Sequence, residues 1–155
     1  MNVVTKPTAH ELVLTRDFAA PRAQVFAAWT DERLAFRWWL PQNFTPLSCE
    51  MDVRPGGGWR RCMRAPDGTV VTKWGVYREV TAPERLVFTY ITEDGGSIDP
   101  ETLVTVTFAD LGGRTRLTLR HTAFETDTAR LNHQGGWTSS LDSLATFIAA
   151  DDAPA

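Results

Sequence analysis

Gly135-Gly136-Trp137-Thr138-Ser139-Ser140-Leu141-Asp142-Ser143-Leu144-Ala145-Thr146-Phe147-Ile148 is the stretch on which the reading of this chain turns. Trp137, Leu141, Leu144 and Ile148 recur at spacings of four, three and four, which stacks them on one face of a helix, while Ser139, Asp142 and Thr146 fall elsewhere. Burying each of these apolar side chains stabilises by about 1.5–3 kcal/mol, so a helix this apolar on one side needs a broad surface to lie against. Gly135 and Gly136 each cost about 1 kcal/mol in a helix interior. That places the helix start near Asn132 to Gln134, with at most a separate turn over Thr126–His133. Two glycines beside Trp137 also imply close approach of the helix start to whatever it covers.

The residues upstream supply mostly strands. In Leu12-Val13-Leu14-Thr15-Arg16-Asp17-Phe18, the side chains Leu12, Leu14 and Phe18 share one face, and Arg16 shares it with them. Ala19-Ala20-Pro21 stops this strand, and Pro21 suits the first position of a helix carried by Val25, Phe26 and Trp29. Thr30-Asp31-Glu32 offers a cap and an acid for a second short helix to about Trp38, ended by Leu40-Pro41. Strand-like runs follow over 44–54, 59–65, 70–80 and 86–91, broken by Pro55-Gly56-Gly57-Gly58, Pro66-Asp67-Gly68 and Ala82-Pro83-Glu84. Beyond the loop Glu93-Asp94-Gly95-Gly96-Ser97, Val104, Val106 and Phe108 share a face. The last strand then sets Leu117, Leu119 and His121 against Arg116, Thr118 and Arg120, the cleanest alternation in the chain. A strand, two short helices, six strands and a long helix predict an α+β fold, an antiparallel meander with one covered face.

At 155 residues the chain suits one domain. We expect a loose tail over 1–10, the domain over 11–149 and a frayed end over 150–155. A net charge of −3 lacks the basic excess that phosphate-backbone binding needs, so no nucleic acid is expected. No leader pattern and no run of eighteen apolar residues is present, which predicts a cytoplasmic chain without a membrane role. Cys49 and Cys62 are spaced like two unpaired thiols, and His10, His121 and His133 show no ligand spacing, so neither a disulfide, a metal nor another cofactor is expected. Gly56-Gly57-Gly58 lacks the following Lys-Ser or Lys-Thr of a phosphate loop.

An ordered series of motifs then matches a family. It comprises Thr15-Arg16-Asp17-Phe18 with Ala20-Pro21, Ala28-Trp29-Thr30-Asp31, Trp38-Trp39 with Pro41, and Arg54-Pro55-Gly56-Gly57. It continues through Gly75-Val76-Tyr77-Arg78-Glu79-Val80, Glu84-Arg85-Leu86-Val87-Phe88, Thr115-Arg116-Leu117 with His121, and Gly136-Trp137. From Glu11 to Ile148 the series resembles the SRPBCC (START-like, helix-grip) superfamily, within it the branch related to the C-terminal domain of the activator of heat-shock protein 90 ATPase. The resemblance implies a curved seven-stranded antiparallel sheet with two short helices, wrapped around the long C-terminal helix with a hydrophobic cavity between them. It implies binding of a small, largely apolar molecule, aromatic or lipid-like. Fold alone leaves two alternatives open, a polyketide cyclase, aromatase or hydrolase using the same cavity, and a module that stimulates a chaperone ATPase. Either a monomer or a homodimer is compatible with it.

For that cavity the expected wall is Phe88, Tyr90, Val106, Leu119, His121, Trp137 and Leu141, joined by Trp59, Trp74 and Tyr77 on neighbouring strands. The pattern assigns neither Trp59 nor Trp74 to a face. His121, on the apolar face, and Tyr77 are the candidates for an acid or base, against the plainer reading of a hydrogen-bonded structural histidine. Trp38 and Trp39 cannot both point inward from a regular helix end, which predicts that one is exposed at the cavity mouth or at a protein interface. The strand charges Arg16, Arg61, Glu50, Asp52 and Glu79 are expected to be solvated or paired.

Overall fold

The computed structural model describes residues 2–5 and 11–150. The chain runs β1 (Asn2–Thr5), β2 (Leu12–Phe18), α1 (Arg22–Thr30), α2 (Glu32–Trp38), β3 (Thr45–Met51), β4 (Gly58–Arg64), β5 (Val70–Thr81) and β6 (Arg85–Asp94). It continues through β7 (Ser97–Ile98), β8 (Thr102–Asp110), β9 (Thr115–Thr122) and α3 (Asp127–Ala150). The strands form an antiparallel sheet ordered β1-β2-β9-β8-β6-β5-β4-β3, with β7 paired to β6 beside that path. This is the expected α+β helix-grip architecture, with two edge elements added. β1 pairs with β2 where a loose tail was expected, and β7 begins at Ser97, the last residue of the expected 93–97 loop. Residues 1, 6–10 and 151–155, and with them most of the expected frayed end, lie outside the described residues.

The stripe Trp137, Leu141, Leu144 and Ile148 is buried as its spacing demands, in one cluster with Leu12, Leu14, Phe88, Val106 and Leu119 from the sheet. Arg16 points inward from β2 and pairs with Asp142 of α3, so strand and helix are clasped by charge beside the apolar contact. Asp31 caps α2 by accepting from the Arg33 amide at 3.0 Å. Pro21 stands one position earlier than expected, at the cap of α1. Both cysteines are unpaired. No described helix is long and apolar enough to cross a membrane.

Two expectations fail for identifiable reasons. α3 begins at Asp127 and runs unbroken through Gly135-Gly136, because Thr126 caps it: its hydroxyl accepts from the Ala129 amide at 3.1 Å. Alanine side chains at the two glycines would meet nothing within 4 Å, so close packing does not explain them. Trp38 and Trp39 are both buried, at 1% and 2% exposure. Helical geometry stops at Trp39, whose φ of −79° and ψ of 68° swing its ring inward beside that of Trp38, 6.1 Å away.

Candidate functional site

Most of the space between α3 and the sheet is filled with side chains. Stacked indoles of Trp29, Trp39, Trp59 and Trp137 make a continuous aromatic layer there, with centroid separations of 5.1–6.3 Å. The packing gives way at one end. Between the first half of α3 and the ends of β4, β5 and β6 lies an open cleft of about 850 Å³. A recess of about 210 Å³ shares Tyr90, Thr92 and His133 with it.

Strand register builds the cleft floor. Arg61 on β4 is paired with Lys73 on β5, and Lys73 with Thr92 on β6, so these three make one cross-strand row, and all line the cleft. Met63 and Val71 form the next row outward. Tyr90, Trp39 and Trp137 supply the aromatic wall, and Gly135 and Gly136 leave the helix side bare. Asp94 and Asp99 are exposed where they line the same cleft.

His121 is placed behind this wall. It is fully buried, with Nδ1 3.0 Å from the Trp137 indole Nε1 and Nε2 2.7 Å from the Thr102 hydroxyl. An indole N–H can only donate, so Nδ1 must be the unprotonated acceptor. Nε2–H then donates to Thr102, whose hydroxyl donates to the Tyr90 carbonyl at 2.8 Å. Every site on the imidazole is used, and the ring is neutral. Burial, with His133 and Lys73 adding to it, holds its pKa well below the usual histidine value. His133 is also pulled down, chiefly by burial. Its Nδ1 lies 2.8 Å from the Ala129 carbonyl, an acceptor, so the proton sits on Nδ1 and Nε2 is left facing Thr92.

These assignments fix a pH dependence. A histidine held neutral on folding, with a folded pKa below its unfolded value, contributes stability present above about pH 6.5 and lost as the pH falls below it. While the folded ring stays neutral the loss is about 1.4 kcal/mol per pH unit, so His121 should lower the stability as the pH falls from about 7.5 to 5. Urea midpoints measured at about pH 7.5 and pH 5 test this. An unchanged midpoint would be inconsistent with the neutral, buried ring.

Of the expected wall residues, Tyr90 and Trp137 line the cleft. Trp59, Tyr77, Phe88, Val106, Leu119 and Leu141 are buried in the core cluster and do not. Trp59 faces inward, donating from Nε1 to the Thr89 carbonyl at 3.2 Å. Trp74 is half-buried on the opposite face from its neighbour Lys73. The Tyr77 hydroxyl is buried without a partner, and burial pushes its pKa far up. Neither Tyr77 nor His121 lines the cleft. Glu79 pairs with Arg85, Asp52 with Arg54, and Glu50 is exposed, as expected of solvated strand charges. Among the described residues no group of acids, cysteines and histidines could hold a metal ion.

Sequence reasoning did not assign Lys73 or His133 to the cavity. Arg61, expected to be solvated or paired, is instead buried without a salt bridge among the described residues, and Trp39, one of the two rings considered for the cavity mouth, lines the cleft though buried. A signal for Arg61 existed, because the alternation Trp59, Arg61, Met63 sets it on the buried face of β4.

The model of the activator of Hsp90 ATPase homolog 1-like protein family matches residues 19–149. Among solved structures, a protein from Arthrobacter aurescens is similar at a TM-score of 0.83 and 25% identity, covering 99% of this chain and 94% of its own. The AHSA1 protein from Silicibacter pomeroyi is similar at 0.81 and 28%, covering 91% and 99%. One from Chromobacterium violaceum is similar at 0.77 and 27%, covering 90% and 96%. No curated protein sequence matches the chain significantly.

Proposed function

The chain belongs to the activator of Hsp90 ATPase homolog 1-like family, and from that premise we propose that it binds a small, largely apolar molecule in the cleft between α3 and β4–β6. The observation that carries this reading is the pair Gly135-Gly136. Both glycines lie inside a helix, where each costs about 1 kcal/mol relative to alanine. Neither has a neighbour within 4 Å of a notional Cβ, and both border the cleft. Their chemistry makes sense as space kept for an occupant. The cleft's size falls in the usual range for small-molecule sites, and Tyr90 and Trp137 offer flat apolar surfaces with polar edges.

The enzyme alternative draws no support from its two candidates, because His121 is fully engaged and Tyr77 is packed away from the cleft. The chaperone alternative loses its proposed surface with the burial of Trp38 and Trp39. Titration with the uncharged fluorophore N-phenyl-1-naphthylamine tests the leading reading. Saturable fluorescence enhancement is expected. Gly135→Ala and Gly136→Ala should each raise stability by about 0.5–1 kcal/mol and weaken probe binding, while Gly136→Leu should abolish it. Absence of saturable binding, or binding untouched by Gly136→Leu, would overturn the assignment of the cleft.

A further inference from the structure

Arg61 is a buried guanidinium for which the fold supplies no anion. It is 4% exposed, and its Nε has no hydrogen-bond partner. One terminal nitrogen, Nη1, donates to the Trp39 carbonyl, and the guanidinium carbon stands 3.9 Å from the Trp39 ring centroid and 5.4 Å from that of Trp59. The acidic groups around it are the phenol of Tyr90, to which it also hydrogen-bonds, the phenol of Tyr77 and the Cys49 thiol, none of them a carboxylate. Burial pushes the thiol up to about 11 and raises Tyr77 as well, so neither offers an anion at neutral pH. An arginine stays charged even when desolvation lowers its pKa, as it does here.

The register makes the imbalance worse. Lys73 lies directly across from Arg61 on the neighbouring strand, its Nζ 5.1 Å from the Tyr90 ring centroid. Like charges at directly opposed positions destabilise a sheet, and among the described residues neither cation forms a salt bridge. A further unpartnered donor, the buried Trp39 Nε1–H, belongs to the same wall. The two unpartnered groups that border this cleft, Arg61 Nε and Trp39 Nε1, are both donors, and the Lys73 cation lines the cleft beside them. Asp94 and Asp99 also line that cleft, and although exposed, their charges disfavour a second negative charge on the occupant near them.

We infer that the ligand is an amphipathic monocarboxylate, an aromatic or alicyclic acid whose carboxylate meets Arg61 with Lys73 and the Trp39 N–H beside it, and whose ring lies against Tyr90 and Trp137. This rests on the cleft being a ligand site. A guanidinium fork matches the two carboxylate oxygens, and the incoming charge offsets a desolvation the protein alone leaves uncompensated.

The test compares 1-naphthoate with its uncharged analogue 1-naphthalenemethanol by calorimetry, in the wild type and in Arg61→Met and Lys73→Gln. Naphthoate should bind about tenfold to a hundredfold tighter than the alcohol, and both variants should shrink that preference, read as the ratio of the two affinities within each protein. Lys73→Gln, at a half-buried position, keeps the test open should Arg61→Met fail to fold. Naphthoate binding no tighter than the alcohol, or a preference unchanged in the folded variants, would overturn the inference. If the uncharged fluorophore binds while the acid has no advantage, the carboxylate assignment alone fails. If neither binds, the cleft assignment fails with it.

Discussion

His121→Ala is expected to destabilise the protein by about 4 kcal/mol or more, through lost packing and an orphaned donor together. The ring is fully buried, with centroids of Phe124, Tyr90 and His133 at 4.3, 4.9 and 5.2 Å. Removing it leaves a void of aromatic size and strips the Trp137 indole N–H of its acceptor. Thr102 keeps its bond to the Tyr90 carbonyl, so the damage concentrates on the side of α3. A double-mutant cycle with Trp137→Phe separates the two contributions. Urea denaturation should return a coupling of about 1 kcal/mol or more between the positions. Additive losses would mean that the histidine acts through volume alone.

Gly75→Ala is expected to cost about 3 kcal/mol or more, among the largest effects of adding a single methyl group to this chain. A Cβ there would stand 1.8 Å from the Thr89 carbonyl oxygen and 2.7 Å from the Trp59 Nε1. Those are the two atoms of the hydrogen bond that seats Trp59 against the sheet. Thr89 belongs to the backbone of β6, so the oxygen cannot retreat without parting β5 from β6. The opposite sign expected for Gly136→Ala, in open space on α3, is the internal control. A Gly75→Ala variant within about 0.5 kcal/mol of the parent would show that the strands relax freely here. Thermal or urea unfolding of both variants reads the contrast.

These contrasts mark how far local pattern reaches. Glycine is an ambiguous letter in a sequence. Gly75 answers to a carbonyl supplied by a strand fourteen residues on, whereas Gly136 answers to empty space, and nothing adjacent in the chain distinguishes the two. The cost of two interior glycines points to a late helix start, whereas the Thr126 hydroxyl on the Ala129 amide starts it at Asp127. Trp38 and Trp39 can both turn inward because the backbone leaves the helix at Trp39, which a regular helix end does not allow. His121 was correctly placed on the apolar face of its strand. Its character as a closed hydrogen-bonding unit depends on Thr102 and Trp137, which reach it only through the pairing of β8 with β9 and the seating of α3.

The sequence by itself determined the class of fold, because burying the Trp137, Leu141, Leu144 and Ile148 stripe and the alternating faces of the strands leaves a long helix on an antiparallel sheet as the solution that covers both. It also determined the family, since an ordered series of turn and packing residues spans nearly the whole domain. Only the tertiary structure decided where the packing stops. Burial of Phe88, Val106 and Leu119 follows from hydrophobicity alone, which is non-directional. The meeting of Arg61, Lys73, Tyr90 and Trp39 around an open cleft instead depends on strand register and on one non-helical turn at Trp39. Register sets which distant charges become neighbours, and charge interactions act at distances of a few ångströms, so that site emerges only when the sheet is assembled.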